Sequence, residues 1–135
     1  MSNHAQGQAT HFAVTLMERL VVPTFVLDAD HRVLVWNRAC ERLTGIPANE
    51  VIGTSDHWRA FYESPRPCLA DLVARNDWSL IDKLYTTHEE PNTPAHGVHA
   101  ENWCAMPRRN KQLYLVVDAG PVFDAAGQLI AVVET

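Results

Sequence analysis

The 135-residue sequence predicts an α+β domain built on an antiparallel sheet. Three observations lead there. Residues 24–45, TFVLDADHRVLVWNRACERLTG, hold two short apolar strands, a polar turn between them and an Asn-led amphipathic helix. The middle of the chain offers short helical stretches interrupted by prolines. The last third returns to apolar strands separated by turn residues. Strands grouped before and after the helices point to hairpins rather than to parallel crossover units.

Taken in order, residues 1–9 are polar and read as a disordered leader. An N-terminal amphipathic helix is assigned to 10–22, with Thr10 as its N-cap. Phe12, Leu16 and Leu20 recur every four residues on it and make one apolar stripe, which Pro23 ends. Residues 24–28 and 32–36 are the first two strands, and the D-A-D-H-R segment between their apolar cores supplies the turn. Asn37 caps the next helix, Ala39, Cys40 and Leu43 form its inner face, and Gly45 stops it. Pro47 opens a further helical turn in which Ala48, Val51 and Ile52 pack inward and Gly53 ends the run. Asp56–Tyr62 is aromatic-rich and helix-compatible, and Pro65 and Pro67 precede a helix over Cys68–Arg75. Residues 76–97 form a long, partly helical excursion. Three strands follow, at about 98–106, 112–119 and 128–134, with turns at Pro107–Asn110 and Phe123–Gly127.

Composition narrows the function. A net charge of −5 lacks the basic excess of a nucleic-acid footprint, and the short Arg108-Arg109-Asn110-Lys111 cluster reads as a solvated turn. Cys40, Cys68 and Cys104 show no C-x-x-C spacing, which suggests reduced thiols in a cytoplasmic protein. The N-terminus lacks the order of a secretory signal, and no apolar run approaches the ~18 residues of a membrane span. No catalytic residue is assigned: Ser55-Asp56-His57 puts suitable side chains side by side, but a triad converges from separate elements. No metal ligand is assigned either. His96, His99 and Cys104 could begin a zinc site but lack a second close pair. Covalent haem lacks its C-x-x-C-H motif, and His57 and His88 read as surface or hydrogen-bonded histidines rather than axial ligands.

Asn37, Ala39 and Gly45 after the second strand, Val51-Ile52-Gly53, and Gly120-Pro121-Val122-Phe123-Asp124 with Gly127 resemble the PAS sensor domains of bacterial signalling proteins. The resemblance spans about Leu16 to the last residue. It implies a five-stranded antiparallel sheet with short helices over one face, preceded here by the N-terminal helix, so that residues 23–135 form the PAS-like unit. Cys68 lies in Pro-Cys-Leu, not in the Asn-Cys-Arg motif of flavin-photochemical members, so neither flavin nor haem is supported by motif and the cofactor is left unassigned. The space between helices and sheet is where such a fold holds a ligand. The candidate lining is Trp36, Cys40, Leu43, Trp58, Phe61, Tyr62, Cys68, Leu72, Trp103 and Tyr114, with Arg59 or Arg66 available to an anionic group. Aromatics that merely fill a core are the alternative.

The resemblance further implies a homodimer through Phe12, Leu16 and Leu20, although the stripe could instead pack on its own sheet. It also implies an output module on the same polypeptide, such as a histidine kinase of a two-component system, a diguanylate cyclase or a phosphodiesterase. The sequence reaches Val132-Val133-Glu134-Thr135 without the Asp-x-Thr element that commonly follows in this family, which suggests a piece of a larger protein. The expected role is a cytoplasmic, non-enzymatic input domain that binds a small molecule. It makes no contact with nucleic acid or membrane through this segment. The alternative is a ligand-free dimerisation or docking module.

Overall fold

The computed structural model describes residues 3–88 and 97–135. Its elements run α1 (Asn3–Arg19), β1 (Phe25–Asp28), β2 (Val33–Trp36), α2 (Arg38–Thr44), α3 (Ala48–Val51), α4 (Leu69–Arg75), α5 (Ile81–Leu84), β3 (Thr87–His88), β4 (Val98–Cys104), β5 (Leu113–Phe123) and β6 (Leu129–Glu134). Short 3-10 turns at His57–Ala60 and Trp78–Leu80 complete the helical group. The strands form one sheet in the order β2-β1-β6-β5-β4-β3, and every neighbouring pair is antiparallel. The expected five strands are there, with a two-residue edge strand, β3, added from the 76–97 excursion.

Several boundaries differ from the sequence reading, among them the end of α1, at Arg19 rather than 22, which leaves Leu20 just beyond the helix. Helix α1 begins at Asn3, so residues 3–9 are helical and Thr10 lies inside the helix rather than capping it. Ala5, Gln6, Gln8 and Ala9 are good helix formers, and polarity alone misread them. Strand β5 continues to Phe123 instead of ending near Ala119. Val98, the first residue of β4, pairs with Ala119, so Gly120 and Pro121 lie beyond β4's reach and pair only with Val133 and Val132 of β6. Proline's missing N–H is tolerated where one side of a strand is open.

The local signals behaved as their chemistry requires. Asn37 is extended and fully buried; its Oδ1 accepts from Cys40 N at 2.9 Å and from Thr24 N at 3.0 Å, while its Nδ2 donates to Val22 O at 2.9 Å. One side chain thereby caps α2 and ties it to the start of β1. Gly45 closes α2 in the left-handed region, at φ 77°. Of the three residues expected to face inward around α3, Val51 is buried, Ala48 is half-buried and Ile52 is exposed.

The core lies between the sheet and the helical group. Phe25, Leu27, Val33 and Trp36 from the first hairpin meet Phe61, Leu69, Leu72 and Ile81 from the helices and Ala100, Cys104 and Val132 from the other strands. Helix α1 stands apart from this core. It lies against β2 and α2, yet Phe12, Leu16 and Leu20 are 68%, 52% and 41% exposed.

Candidate functional site

Alternation along β4 sets what faces the helices. Val98, Ala100, Asn102 and Cys104 point inward and pair with Ala119, Val117, Leu115 and Leu113 of β5. Where the end of β6 passes between β1 and β5, a cavity of about 240 Å³ opens between sheet and helices, lined by Phe25, Cys40, Leu43, Phe61, Leu115, Val117 and Glu134 together with Val22, Pro23, Val116 and Thr135. Its wall is almost wholly apolar. Glu134 is the ionisable side chain there, only 5% exposed, and its Oε1 accepts from Ala70 N at the start of α4 at 2.7 Å. Burial pushes its carboxyl up to about 8, reinforced by Asp71 and moderated by the Ala70 hydrogen bond and Arg66.

The ten expected lining residues divide into four groups. Cys40, Leu43 and Phe61 line this cavity. Trp36 and Leu72 are buried in the core beside it, with Trp36 Nε1 donating to Ile46 O at 2.9 Å. Tyr62, Trp58 and Cys68 belong to polar surroundings described below. Trp103 and Tyr114 are a correction: they face each other on the opposite side of the sheet, 62% and 39% exposed, with their rings edge-on at 5.3 Å. Trp103 alternates with the inward even positions of β4, and Tyr114, its cross-strand partner, alternates with the inward odd positions of β5, so a period of two sends both outward. Phe25, Leu115, Val117 and Glu134 were not anticipated. Strand alternation could have indicated Leu115 and Val117, but nothing local marks an acid as buried.

Tyr62 belongs to a polar cluster around Arg66. The guanidinium lies 3.7 Å from the centre of the Tyr62 ring and 5.1 Å from that of Tyr85, and it donates to Pro67 O and Leu84 O. Asn102 Nδ2 donates to Tyr62 Oη at 3.1 Å and to Leu84 O at 3.3 Å. Of the two arginines considered for an anion, Arg59 is exposed, whereas Arg66 borders a second cavity of about 420 Å³ with His31, Ser55, His57, Trp58, Asp71 and Arg75.

Beside that second cavity is a buried polar cluster. His31 Nδ1 and His57 Nε2 approach Asp71 Oδ1 and Oδ2 at 2.6 and 2.8 Å, and Cys68 N donates to Oδ2 at 2.9 Å. Burial alone would push the Asp71 carboxyl up, but the hydrogen bond and charge of His57, with hydrogen bonds from the His31 side chain and the Cys68 backbone N–H, hold it below its ordinary value. His57 is only 2% exposed, and its Nδ1 has no hydrogen-bond partner among the described residues. The acid that engages His57 is therefore Asp71, not its sequence neighbour Asp56; Ser55 Oγ donates to His31 O instead. Burial raises all three thiols, Cys104 to about 11, so none is a ready thiolate nucleophile. Cys104 faces the core while His99 pairs with Asp118 on the outer face, which separates two members of the considered His96/His99/Cys104 zinc set; His96 lies outside the described residues. No helix among the described residues is long and apolar enough to cross a membrane.

The family model described as PAS fold matches residues 12–134. Among curated proteins, phytochrome B of Glycine max is 28% identical over 106 residues, covering 78% of this chain and 8% of that protein. Phytochrome B-2 of the same plant is 25% identical over 119 residues, covering 88% of this chain and 9% of that protein. The chain thus spans less than a tenth of the length of these relatives. Among solved structures, the PAS domain of Bordetella pertussis BvgS superposes with a TM-score of 0.60 at 15% identity, covering 93% of this chain and 81% of that one. The PAS domain of an HTR-like protein from Haloarcula marismortui gives 0.54 at 14% identity, covering 98% and 94%. A light-oxygen-voltage protein from Rhodobacter sphaeroides gives 0.59 at 12% identity, covering 94% and 65%.

Proposed function

The chain belongs to the PAS family, and from that premise we propose that it is the sensory input domain of a larger signalling protein, taking a small, largely apolar ligand between its helices and sheet. PAS domains are generally sensory modules without catalytic chemistry of their own. The observation that carries the ligand reading is Glu134, a buried acid among the residues that line a largely apolar cavity, on the strand that completes the sheet. A ligand with one hydrogen-bonding group could engage it, and any displacement of Glu134 moves β6 directly. Sensing and output then share one residue. The cavity lies below the roughly 300–1,000 Å³ of typical ligand sites, which favours a compact molecule over a large planar cofactor.

Native mass spectrometry and an ultraviolet-visible spectrum of the purified chain test this reading. The expected result is a retained small-molecule mass or a ligand-dependent rise in melting temperature, lost in Leu115→Phe, which fills the cavity with apolar volume. An apo mass together with no thermal response to a panel of small apolar acids, alcohols and amides would overturn it.

The exposed stripe of α1 supports a second component of the proposal, a homodimer whose α1 helices pack against each other about a two-fold axis. A cytoplasmic location and a C-terminal output module, such as a histidine kinase or diguanylate cyclase, complete the reading. If no ligand binds, the same stripe supports a docking and dimerisation module instead.

A further inference from the structure

We propose that His31, His57, Cys68 and Asp71 form a binding site for a zinc-like transition-metal ion, separate from the apolar cavity. His57 comes from the 3-10 turn, Cys68 from the cap of α4, Asp71 from its first turn, and His31 from the β1–β2 turn. One donor atom from each of His57, Cys68 and Asp71 lies within 4.8 Å of the others, and all three residues are buried. His31 Nδ1 lies outside that group of three but 2.6 Å from Asp71 Oδ1, near enough to turn in as a fourth donor. The sequence offered no signal for this set. Its members span residues 31 to 71 without metal-ligand spacing, and only the fold brings them together.

The donor chemistry identifies the ion. Two imidazole nitrogens, one sulfur and one carboxylate oxygen suit zinc or cobalt(II) in four-coordinate geometry and are too soft for calcium or magnesium. One thiolate and one carboxylate balance a divalent cation, so the occupied cluster would be neutral with both histidines uncharged, which suits a buried position. On binding, each neutral imidazole turns a lone pair to the ion, His31 through Nδ1 and His57 through Nε2, and carries its single proton on the other ring nitrogen, while Cys68 releases its thiol proton to solvent. The N···O pair at the ligating carboxylate oxygen, now 2.6 Å at Oδ1 or 2.8 Å at Oδ2, opens to about 3.3 Å, the separation set by bonds of about 2.0–2.1 Å at tetrahedral angles. The second cavity borders His31, His57 and Asp71 and supplies a way in from solvent. Occupied, the site would clamp the first hairpin to the 3-10 turn and to α4.

Cobalt(II) titration of the full chain, followed by absorption and native mass spectrometry, tests the site. One ion per folded chain is expected, with the visible bands of a four-coordinate centre and a near-ultraviolet thiolate-to-metal band. Added zinc should displace both. His31→Ala should weaken binding by roughly 10- to 100-fold while keeping the thiolate band. Cys68→Ser should abolish that band. Should Cys68→Ser fail to fold, its persistence in both Cys40→Ala and Cys104→Ala assigns it to Cys68, because the chain has three cysteines. Absence of a thiolate band in the folded parent chain, its survival in folded Cys68→Ser, or its loss in folded Cys104→Ala would overturn the proposal.

Discussion

Glu134 is a carboxylic acid whose surroundings favour the protonated form, and its pH linkage has a definite sign. Its folded-state value of about 8 lies above the ordinary 4.5, so the folded chain holds this proton more tightly than the unfolded chain. The resulting stability is complete below about pH 4.5 and is lost as pH rises through about 8, amounting to a few kcal/mol. Glu134→Gln should therefore flatten the urea midpoint between pH 5 and 9 and exceed the parent above pH 8. A parallel pair of pH profiles would show that Glu134 does not titrate in this range. Asn37 makes the opposite kind of demand, since both of its ends are occupied. Asn37→Ala leaves Thr24 N and Cys40 N buried without acceptors and should cost about 2–4 kcal/mol in denaturant unfolding. Its capping role was legible in the sequence. Its bonds to Thr24 and Val22 were not, because they depend on where the preceding strand lies. Trp103 and Tyr114 failed for a simpler reason: aromatic character says that a side chain packs, while strand parity decides on which face.

At the scale of elements, hairpins and caps could be read because their signals are local. The D-A-D-H-R turn and the Gly45 stop fell where expected, and the three C-terminal strands formed, β5 running longer than expected. The start of α1 and the existence of β3 could not be read, since helical propensity in a polar stretch and a two-residue edge pairing carry little sequence contrast. Gly97 shows how tightly the β4 boundary is drawn. It sits at φ 88°, and a Cβ there would come within 2.3 Å of Ala119 O and 2.9 Å of Gly120 Cα. Both atoms are backbone and cannot swing aside. Gly97→Ala should lower the melting temperature by on the order of 10 °C, through left-handed strain and displacement of β4 from β5. An unchanged melting curve would mean that the start of β4 is not held in this register.

For the molecule as a whole, the fold was readable and the cavity only partly so, because a cavity is the residue of imperfect packing between distant segments. Cys40, Leu43 and Phe61 could be placed near it from helix faces, but Phe25, Leu115 and Glu134 required the strand order. The proposed dimer is also a whole-molecule property. Deleting residues 1–20 should halve the mass measured by light scattering while leaving the far-ultraviolet strand signal intact. A retained dimer mass would remove α1 as the interface and direct attention to the Trp103–Tyr114 face. One topological fact reaches back to how the molecule is made. β6, the last strand in sequence, is the wedge between β1 and β5, pairing Phe25 with Glu134 across nearly the whole chain. During synthesis the N-terminal hairpin and the β4–β5 ribbon therefore wait as two unjoined halves, and no sheet can close until residues 129–134 leave the ribosome. A chain stalled before residue 129 would hold most of the domain's composition and carry two open strand edges, a natural substrate for chaperones and proteases.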